Sequence, residues 1–295
     1  MSSNRYEDRI NRAIALIDRE IDRDLSIKRL ADEACLSPFH FHRLFSILTG
    51  ESVHKLTTRI RMQRALALTH KGSRPQWKQI AGAVGYRSAD AFARAFKRHY
   101  GCSPSQFDIE RWWQDRPDRD AALSVSQYFL RPAPPLPTDF KVELTRRPAA
   151  SVMISRAVGG YVDPASMIAA YERLRDAALD LKIPLANRLS GASRDDPELV
   201  PLAHCRYDFA LEVEATVSTP KGFLRTTRAE GLWATTHVAG DLSQVDRAWN
   251  LLFKSWLPQS GRDLRADPAE EIYHETPETI GWDRFDLTLA IPLED

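Results

Sequence analysis

The sequence has few cysteines and no long hydrophobic run. Cys35, Cys102 and Cys205 stand far apart without a C-x-x-C pair, which argues against a disulfide framework or a thiolate zinc site and predicts buried free thiols. No apolar run approaches the ~18 residues that cross a bilayer, and Met1 to Asp22 is polar and rich in charge. We therefore expect no membrane partner and a cytoplasmic protein.

Signatures of catalysis and of cofactor binding are also missing. His204, His237 and His274 are scattered and lie in no H-E-x-x-H or G-x-S-x-G context. We predict no catalytic residue, no metal and no cofactor. The chain is 43% hydrophobic and 27% charged, as globular proteins are, and its 295 residues suffice for two domains.

The net charge of +1 conceals two halves of opposite sign. Residues 1–116 carry 21 Lys and Arg against 13 Asp and Glu, a net of +8, whereas residues 117–295 carry 20 against 27, a net of −7. A basic half favours a polyanion, which an acidic half would repel. The first half is therefore the candidate for nucleic-acid binding.

The chain changes character between Trp113 and Phe140, where prolines replace periodic patterns. Helical patterns precede this segment, and strand patterns around two helices follow it. We predict an all-α domain at 1–113, a linker at 114–139 and an α+β domain at 140–295. Internal repeats, offset by 50 to 51 residues in the first domain and by 76 to 80 in the second, indicate duplicated units.

The first repeat centres on a helix that begins at Ser37-Pro38, a cap followed by a first-turn proline. Its apolar residues recur at i, i+3, i+4 and i+7 and predict a buried face. The opposite face lies in the first two turns, where a recognition helix presents side chains to base edges. It carries Phe39, His42, Arg43 and Ser46.

The second repeat has the same plan after Ser88. Arginine pairs bidentately with guanine, so Arg94, at the place equivalent to Arg43, predicts a second major-groove contact about one helical turn away. The helix Val53 to Lys71 is expected to hold the units at that spacing. Two bundle helices with solvated arginines are the alternative. The outward residues of the second unit are Asp90, Ala93, Arg94 and Lys97.

Five segments carry a family signature: Ile27-Lys-Arg-Leu-Ala-Asp-Glu-Ala, Ser37-Pro-Phe-His-Phe-His-Arg-Leu-Phe, Ile80-Ala-Gly-Ala-Val-Gly-Tyr, Ala91-Phe-Ala-Arg-Ala-Phe-Lys-Arg and Gly101-Cys-Ser-Pro-Ser-Gln-Phe. They resemble the AraC/XylS family DNA-binding domain over roughly residues 6–112. The resemblance implies two helix-turn-helix units on double-stranded promoter DNA. The base-contacting positions match Phe39, His42 and Arg43, then Ala89, Asp90, Ala93 and Arg94.

The second set contains two alanines and an acid. We expect that unit to read DNA shape or a thymine methyl, or to contact mainly phosphates, with sequence specificity concentrated in the first unit.

The second half predicts two strand-helix-strand-strand units that share one sheet. One helix follows Asp163-Pro164, and the other follows Asp241, with Gln244 placed for a capping box. The segments 207–213 and 285–291 alternate as strands with one apolar face. The predicted fold class is α+β.

The helix ending Phe253-Lys-Ser-Trp-Leu-Pro, the run Glu271-Ile-Tyr-His-Glu and the final Leu289-Ala-Ile-Pro-Leu resemble the GyrI-like small-molecule-binding domain in a Rob-like arrangement. The resemblance covers about 140–295. It implies a ligand-binding groove between the two repeats, lined by aromatic side chains. In the drug-binding members an acidic residue lies at the centre of that groove. Glu271 matches that acid by position, although a register shift of one residue would select Glu270 instead. The other candidates are Tyr273, Tyr161, Trp233 and Trp256.

A carboxylate among aromatics favours a cationic, apolar ligand, which supplies the missing charge and a cation–π partner. Core packing is the alternative for each aromatic, and a surface carboxylate is the alternative for Glu271.

Together these features predict a bacterial, nucleoid-associated transcription regulator that binds promoter DNA, a small effector of the multidrug type and RNA polymerase. The first alternative is a small-molecule hydrolase in which a pocket Glu acts as general base. The second is inhibition of another protein by the C-terminal domain alone.

Overall fold

The computed structural model of the chain describes residues 3–70, 76–116, 118–119, 133–265 and 267–295. Backbone contacts divide the chain into two compact units, Met1–Pro117 and Asp118–Asp295. Most of the predicted linker, namely residues 117 and 120–132, lies outside the described residues. No helix among the described residues is both long and apolar enough to cross a membrane.

The described elements of the first unit are all helical. They are α1 (Ser3–Arg19), α2 (Ile27–Glu33), α3 (Pro38–Thr49), α4 (Val53–Ala67), α5 (Trp77–Ala83), α6 (Ala89–Tyr100) and α7 (Ile109–Gln114), with 3-10 turns at Leu68–His70 and Pro104–Gln106.

Serine caps fix where four of these helices begin. The hydroxyls of Ser26, Ser37, Ser52 and Ser88 each accept a hydrogen bond from the backbone N–H three residues further on, which satisfies a donor that the helix itself leaves free. The predicted helix Val53 to Lys71 proves shorter, because α4 ends at Ala67 and a 3-10 turn follows. Lys71 lies outside the described residues.

The helix pairs α2–α3 and α5–α6 of this unit each have their own packed interior. In the first, Phe41 and Phe45 of α3 are fully buried against α1 and α2. In the second, Phe92 and Phe96 of α6 are fully buried, and their rings contact Trp77 of α5. The apolar positions that repeat in the sequence are therefore the core positions of two similar units.

The second unit is built on an eight-stranded antiparallel sheet in the order β1-β6-β8-β7-β3-β4-β2-β5. The strands are β1 (Glu143–Arg147), β2 (Ala150–Val158), β3 (Leu189–Ser193), β4 (Arg206–Glu212), β5 (Leu224–Arg228), β6 (Gly231–Gly240), β7 (Glu270–Tyr273) and β8 (Phe285–Leu293). The helices are α8 (Pro164–Asp180), α9 (Leu242–Asn250), a π-helical turn (Leu251–Trp256), α10 (Leu257–Ser260) and α11 (Pro277–Ile280), with a 3-10 turn at Leu202–His204.

The sheet confirms the predicted α+β class and its two strand-helix-strand-strand units. One unit is β2-α8-β3-β4 and the other is β6-α9-β7-β8, and they meet where β3 pairs with β7. The two edge strands exchange between the repeats. β1 precedes the first repeat but pairs with β6 of the second, and β5 precedes the second but pairs with β2 of the first.

The two faces of the sheet differ in chemistry. On one face α8 and α9 cover a core that includes Met153, Phe209 and Leu289. The other face carries buried ion pairs, of which Arg156 with Asp208 is bidentate at 2.6 and 2.8 Å. Asp208 thus alternates out of the apolar core, as its strand pattern predicts, yet it is 3% exposed.

The three cysteines are free, but the prediction that all are buried is wrong. Cys205 is buried, Cys102 is half-buried and Cys35 is exposed. Cys35 follows α2 in the left-handed conformation, with φ of 52°, so it terminates that helix on the surface and stays out of the core.

Candidate functional sites

The predicted reading face of α3 is open to solvent. Phe39 is 72% exposed, His42 and Arg43 are exposed, and Ser46 is half-buried. Phe39 is the most exposed of the large hydrophobic side chains described, ahead of Leu179 at 69% and Ile47 at 64%. The face of α3 therefore combines an exposed aromatic ring with exposed polar groups.

The equivalent face of α6 is flatter and more acidic. Ala89 and Ala93 are half-buried, whereas Asp90, Arg94 and Lys97 are exposed. Within the described parts of the chain, neither Arg94 nor Arg43 makes a hydrogen bond or ion pair. Both guanidiniums therefore keep their donors available.

Helix α4 fixes the two helix pairs to each other through Arg61. Its guanidinium donates to the carbonyls of Ile21 (3.0 Å) and Arg23 (2.8 Å) and lies 5.3 Å from the ring centre of Tyr86. Gly85 lets this contact form, since a Cβ there would lie 2.6 Å from the Ile21 carbonyl oxygen and the backbone has φ of +80°. Arg61 thus ties the end of the α1 segment to the turn before α6.

Arg59, also on α4, has an internal role. It is buried and pairs with Glu51 at 2.7 Å, so it stabilises the start of α4.

In the second unit, Glu271 lies where the two repeats meet. It pairs with Gly191 across β3 and β7, on the sheet face that α8 and α9 cover, and Tyr273 shares that face. The hydroxyl of Tyr207 donates to Glu271 Oε2 at 2.5 Å, and the indole N–H of Trp249 donates to Oε1 at 2.9 Å. We call Glu271, Tyr207, Tyr273 and Trp249 the Glu271 group.

A glycine makes room for this arrangement. A Cβ at Gly191 would lie 1.7 Å from the Tyr207 hydroxyl, so any larger residue would push the phenol off the carboxylate. The Tyr207 and Tyr273 hydroxyls are 3.2 Å apart. Both oxygens of the carboxylate and both phenols therefore form one hydrogen-bonded cluster.

Burial perturbs every acid in the cluster. It raises the pKa of the Glu271 carboxyl above its ordinary value, while the hydrogen bonds from Tyr207 and Trp249 oppose part of that rise. The pKa of Tyr207 is raised well above the ordinary value, first by burial and then by the Glu271 charge. The same causes raise the pKa of Tyr273.

The other predicted wall residues lie in different places. Tyr161 is close to the group, with its hydroxyl 3.4 Å from Ser193, which pairs with Tyr207 across the sheet. Trp256 is half-buried against the core at the end of the π-helical turn.

Trp233 projects from the opposite face of the sheet and is fully buried between the guanidiniums of Arg147 and Arg265. Its strand carries Ala234, a core residue on the helix-covered face, immediately next to it. Glu270 lies on the same face as Trp233 and pairs with Arg147 at 2.8 Å.

Sequence reasoning missed two members of the Glu271 group. Tyr207 falls within the predicted strand segment 207–213 and Trp249 within the predicted helix after Asp241, but neither is among the predicted ligand-site residues. The available signal was their chemistry, because a buried Trp N–H or Tyr O–H needs an acceptor, and one carboxylate lies on the same face.

Comparison with known proteins identifies both units. The family model described as a helix-turn-helix domain matches residues 30–108, and the model described as a GyrI-like small molecule binding domain matches residues 140–294. The chain belongs to the GyrI-like family and joins that domain to an AraC-type helix-turn-helix domain, which confirms both resemblances.

Named relatives match over part of the chain. An uncharacterized HTH-type transcriptional regulator of Haemophilus influenzae is 36% identical over 34% of this chain and 33% of its own length. The regulator GadX of Escherichia coli O157:H7 is 35% identical over 39% of this chain and 40% of its own length. The chain thus spans a third to two fifths of the curated relatives it matches. A crystal structure of a DNA-binding transcriptional dual regulator from Escherichia coli K-12 is 29% identical over 36% of this chain and 93% of that one, with a TM-score of 0.31.

Proposed function

We propose that this chain regulates transcription by binding promoter DNA through α3 and α6, and that the Glu271 group binds a small, lipophilic or cationic effector. RNA polymerase is the proposed partner at the promoter. The observation that carries the DNA part is the pair of exposed arginines, Arg43 and Arg94, at equivalent positions of two capped helices whose inner faces are buried.

The geometry of the helical unit supports binding to two successive major grooves. A single helix-turn-helix unit contacts one groove, and two units tied together in one chain contact grooves about one helical turn apart. The Arg61 contacts hold the two helix-turn-helix units of this domain together, so a monomer suffices for this binding mode.

Genomic footprinting of the full chain, with and without candidate effectors, tests the DNA part. We expect protected sites that contain two major grooves about 10.5 base pairs apart and whose occupancy changes with an effector. Binding without preferred sites, or protection of one groove only, would contradict the proposal.

The effector part rests on the state of Glu271. A carboxylate withdrawn from water is destabilised unless a charge or hydrogen bonds compensate it. Glu271 is half-buried, and its hydrogen bonds offset only part of the rise in pKa that burial causes. An aromatic cation supplies the missing charge, while the faces of Tyr207, Tyr273 and Trp249 supply cation–π contacts.

Tryptophan fluorescence tests the effector part directly. The full chain is titrated with tetraphenylphosphonium, a permanently charged aromatic cation, and we expect a saturable change because Trp249 contacts Glu271. Trp249→Phe should remove most of the change, whereas Trp112→Phe in the helical unit should leave it intact. A wild-type chain without a saturable response would contradict a cationic effector.

The hydrolase alternative has less support. A general base must take a proton from water, yet both oxygens of Glu271 already accept hydrogen bonds from the protein. The matched relatives are named as transcriptional regulators. The first observation favours a role for Glu271 in binding, and the second favours regulation over catalysis.

A further inference from the structure

Two histidines and an aspartate that are far apart in sequence meet on the sheet face opposite the Glu271 group. His237 lies on β6, Asp286 near the start of β8 and His274 directly after β7, and these strands are neighbours. The backbone N–H of His274 donates to the Asp286 carbonyl at 3.0 Å, which continues the β7–β8 pairing by one residue. The three side chains therefore project from rigid, adjacent backbone positions.

One ligand atom from each side chain can be chosen so that all three lie within 4.8 Å of one another. His237 Nε2 is 2.7 Å from Asp286 Oδ1, and the two imidazole rings are centred 5.7 Å apart. Zinc binds imidazole nitrogen and carboxylate oxygen at about 2.0–2.2 Å, which places tetrahedral ligand atoms about 3.3 Å apart. The His237–Asp286 separation is shorter than this and the three ligand atoms lie within 4.8 Å of one another, so side-chain rotations are needed to reach that spacing.

The surroundings suit an ion that keeps part of its water. The His237 side chain is 61% exposed and that of Asp286 is 36% exposed, and a cavity of about 500 Å³ lined by Glu275, Arg284 and Asp286 opens beside them. His274 has a partner for each ring nitrogen, Thr288 Oγ1 at 2.7 Å and Asn187 Oδ1 at 3.3 Å. Whichever nitrogen binds an ion, the other keeps a partner that orients the ring.

We infer that His237, His274 and Asp286 form a binding site for a divalent transition ion of the zinc class. Two imidazoles and one carboxylate select such ions over Mg²⁺ and Ca²⁺, which prefer oxygen ligands alone. A bound ion would crosslink β6, β7 and β8, including the strand that carries Glu271. The site does not depend on the proposed effector.

Zinc titration of the full chain tests this site. Because Cys35 is exposed and Cys102 is half-buried, the background is the Cys35→Ser, Cys102→Ser chain, stripped with a chelator. Competition against a chromogenic chelator should show one Zn²⁺ per chain. We expect His237→Ala and His274→Ala each to weaken binding at least about tenfold, whereas His204→Ala, on the 3-10 turn Leu202–His204, should leave it unchanged.

Cobalt(II) provides a second readout. The background chain should give ligand-field bands without thiolate charge transfer, and His237→Ala should abolish them. Thermal unfolding in chelator should be nearly the same for all variants, while Zn²⁺ should raise the Tm only where both histidines are present. Zinc affinity that survives the His237→Ala, His274→Ala double variant, or no uptake at about 100 μM Zn²⁺, would overturn the inference and leave a plain His–Asp hydrogen bond.

Discussion

In the helical unit the side chains predicted to meet a partner extend into solvent, whereas in the sheet unit the most important charges are withdrawn from solvent and held by hydrogen bonds within the fold. Arg43 and Arg94 are exposed, while Glu271 accepts two hydrogen bonds and Asp208 is 3% exposed beside Arg156. An exposed cation is solvated by water, so it destabilises the fold little, and it remains available to bind a polyanion. A buried charge must be compensated within the fold. Removal of one partner of a buried ion pair therefore lowers the free energy of unfolding.

The largest effect should come from the Arg156–Asp208 pair. Asp208→Ala removes the carboxylate from a buried guanidinium and should lower the free energy of unfolding by about 3–5 kcal/mol. Urea unfolding of the full chain, followed by circular dichroism, measures this loss, and Asp208→Asn provides an isosteric variant if the alanine chain does not fold.

The matched control is an exposed pair of similar length. Arg146 and Asp295 are 2.9 Å apart, but their side chains are 71% and 69% exposed, so Arg146→Ala should cost less than about 1 kcal/mol. Equal losses for Asp208→Ala and Arg146→Ala would contradict the difference in stabilisation that we expect between buried and exposed charges.

The next effect concerns DNA affinity. Arg43→Ala should weaken binding to a footprinted site by about 1–3 kcal/mol and relax sequence preference, because a bidentate base contact is lost. Arg94→Ala should weaken binding too. Its effect should be more uniform across sequences, because Ala89 and Ala93 beside it offer no hydrogen bonds to bases.

Gel-shift titrations at fixed salt on cognate and mutated sites separate these effects. Arg262→Ala in the sheet unit changes the net charge equally and serves as control. If the Arg43→Ala and Arg94→Ala variants show the same loss of affinity on every DNA sequence, specificity is not concentrated in the first helix-turn-helix unit.

The sequence predicts the helical unit better than the sheet site for a physical reason. Helical periodicity places Phe41 inside and Arg43 outside from local spacing alone, because both lie within one turn. The Glu271 group instead depends on strand pairing. Gly191 and Tyr207 reach Glu271 only because β3 pairs with β7 and β4, and no local pattern gives that register.

The His237, His274 and Asp286 cluster shows the same limit. In sequence these residues are scattered, and only the order β6-β8-β7 brings them together. The exchange of the edge strands β1 and β5 is likewise not predictable from sequence periodicity. Periodicity indicates two repeats, but it does not show which edge strand pairs with which repeat.

A smaller effect is expected for the effector site. Glu271→Gln keeps the shape and removes the charge, so affinity for tetraphenylphosphonium should fall by about 1–2 kcal/mol, in the range of a partly desolvated cation–π or ion-pair contact. Glu275→Gln, an exposed carboxylate four residues on, should leave affinity unchanged. Fluorescence titration measures both variants, and equal affinities for wild type and Glu271→Gln would exclude the counter-ion role.

The smallest effect is the pH dependence of that affinity. Because burial raises the pKa of Glu271 above its ordinary value of 4.5, the carboxylate takes up a proton at higher pH than a solvated glutamate does. A permanent cation prefers the ionised form, so binding should be complete above the raised pKa and should weaken as pH falls through it. The loss should level off near the affinity of Glu271→Gln, because the protonated carboxyl and the amide are both neutral. The facing phenols of Tyr207, Tyr273 and Tyr161 stay protonated in this range because their own pKa values are raised.

Tetraphenylphosphonium does not titrate, so the midpoint belongs to the protein, and Glu271→Gln should flatten the profile. A midpoint at or below 4.5 would mean that the hydrogen bonds from Tyr207 and Trp249 outweigh burial, and Glu271 would then resemble the exposed, permanently charged groups of the helical unit.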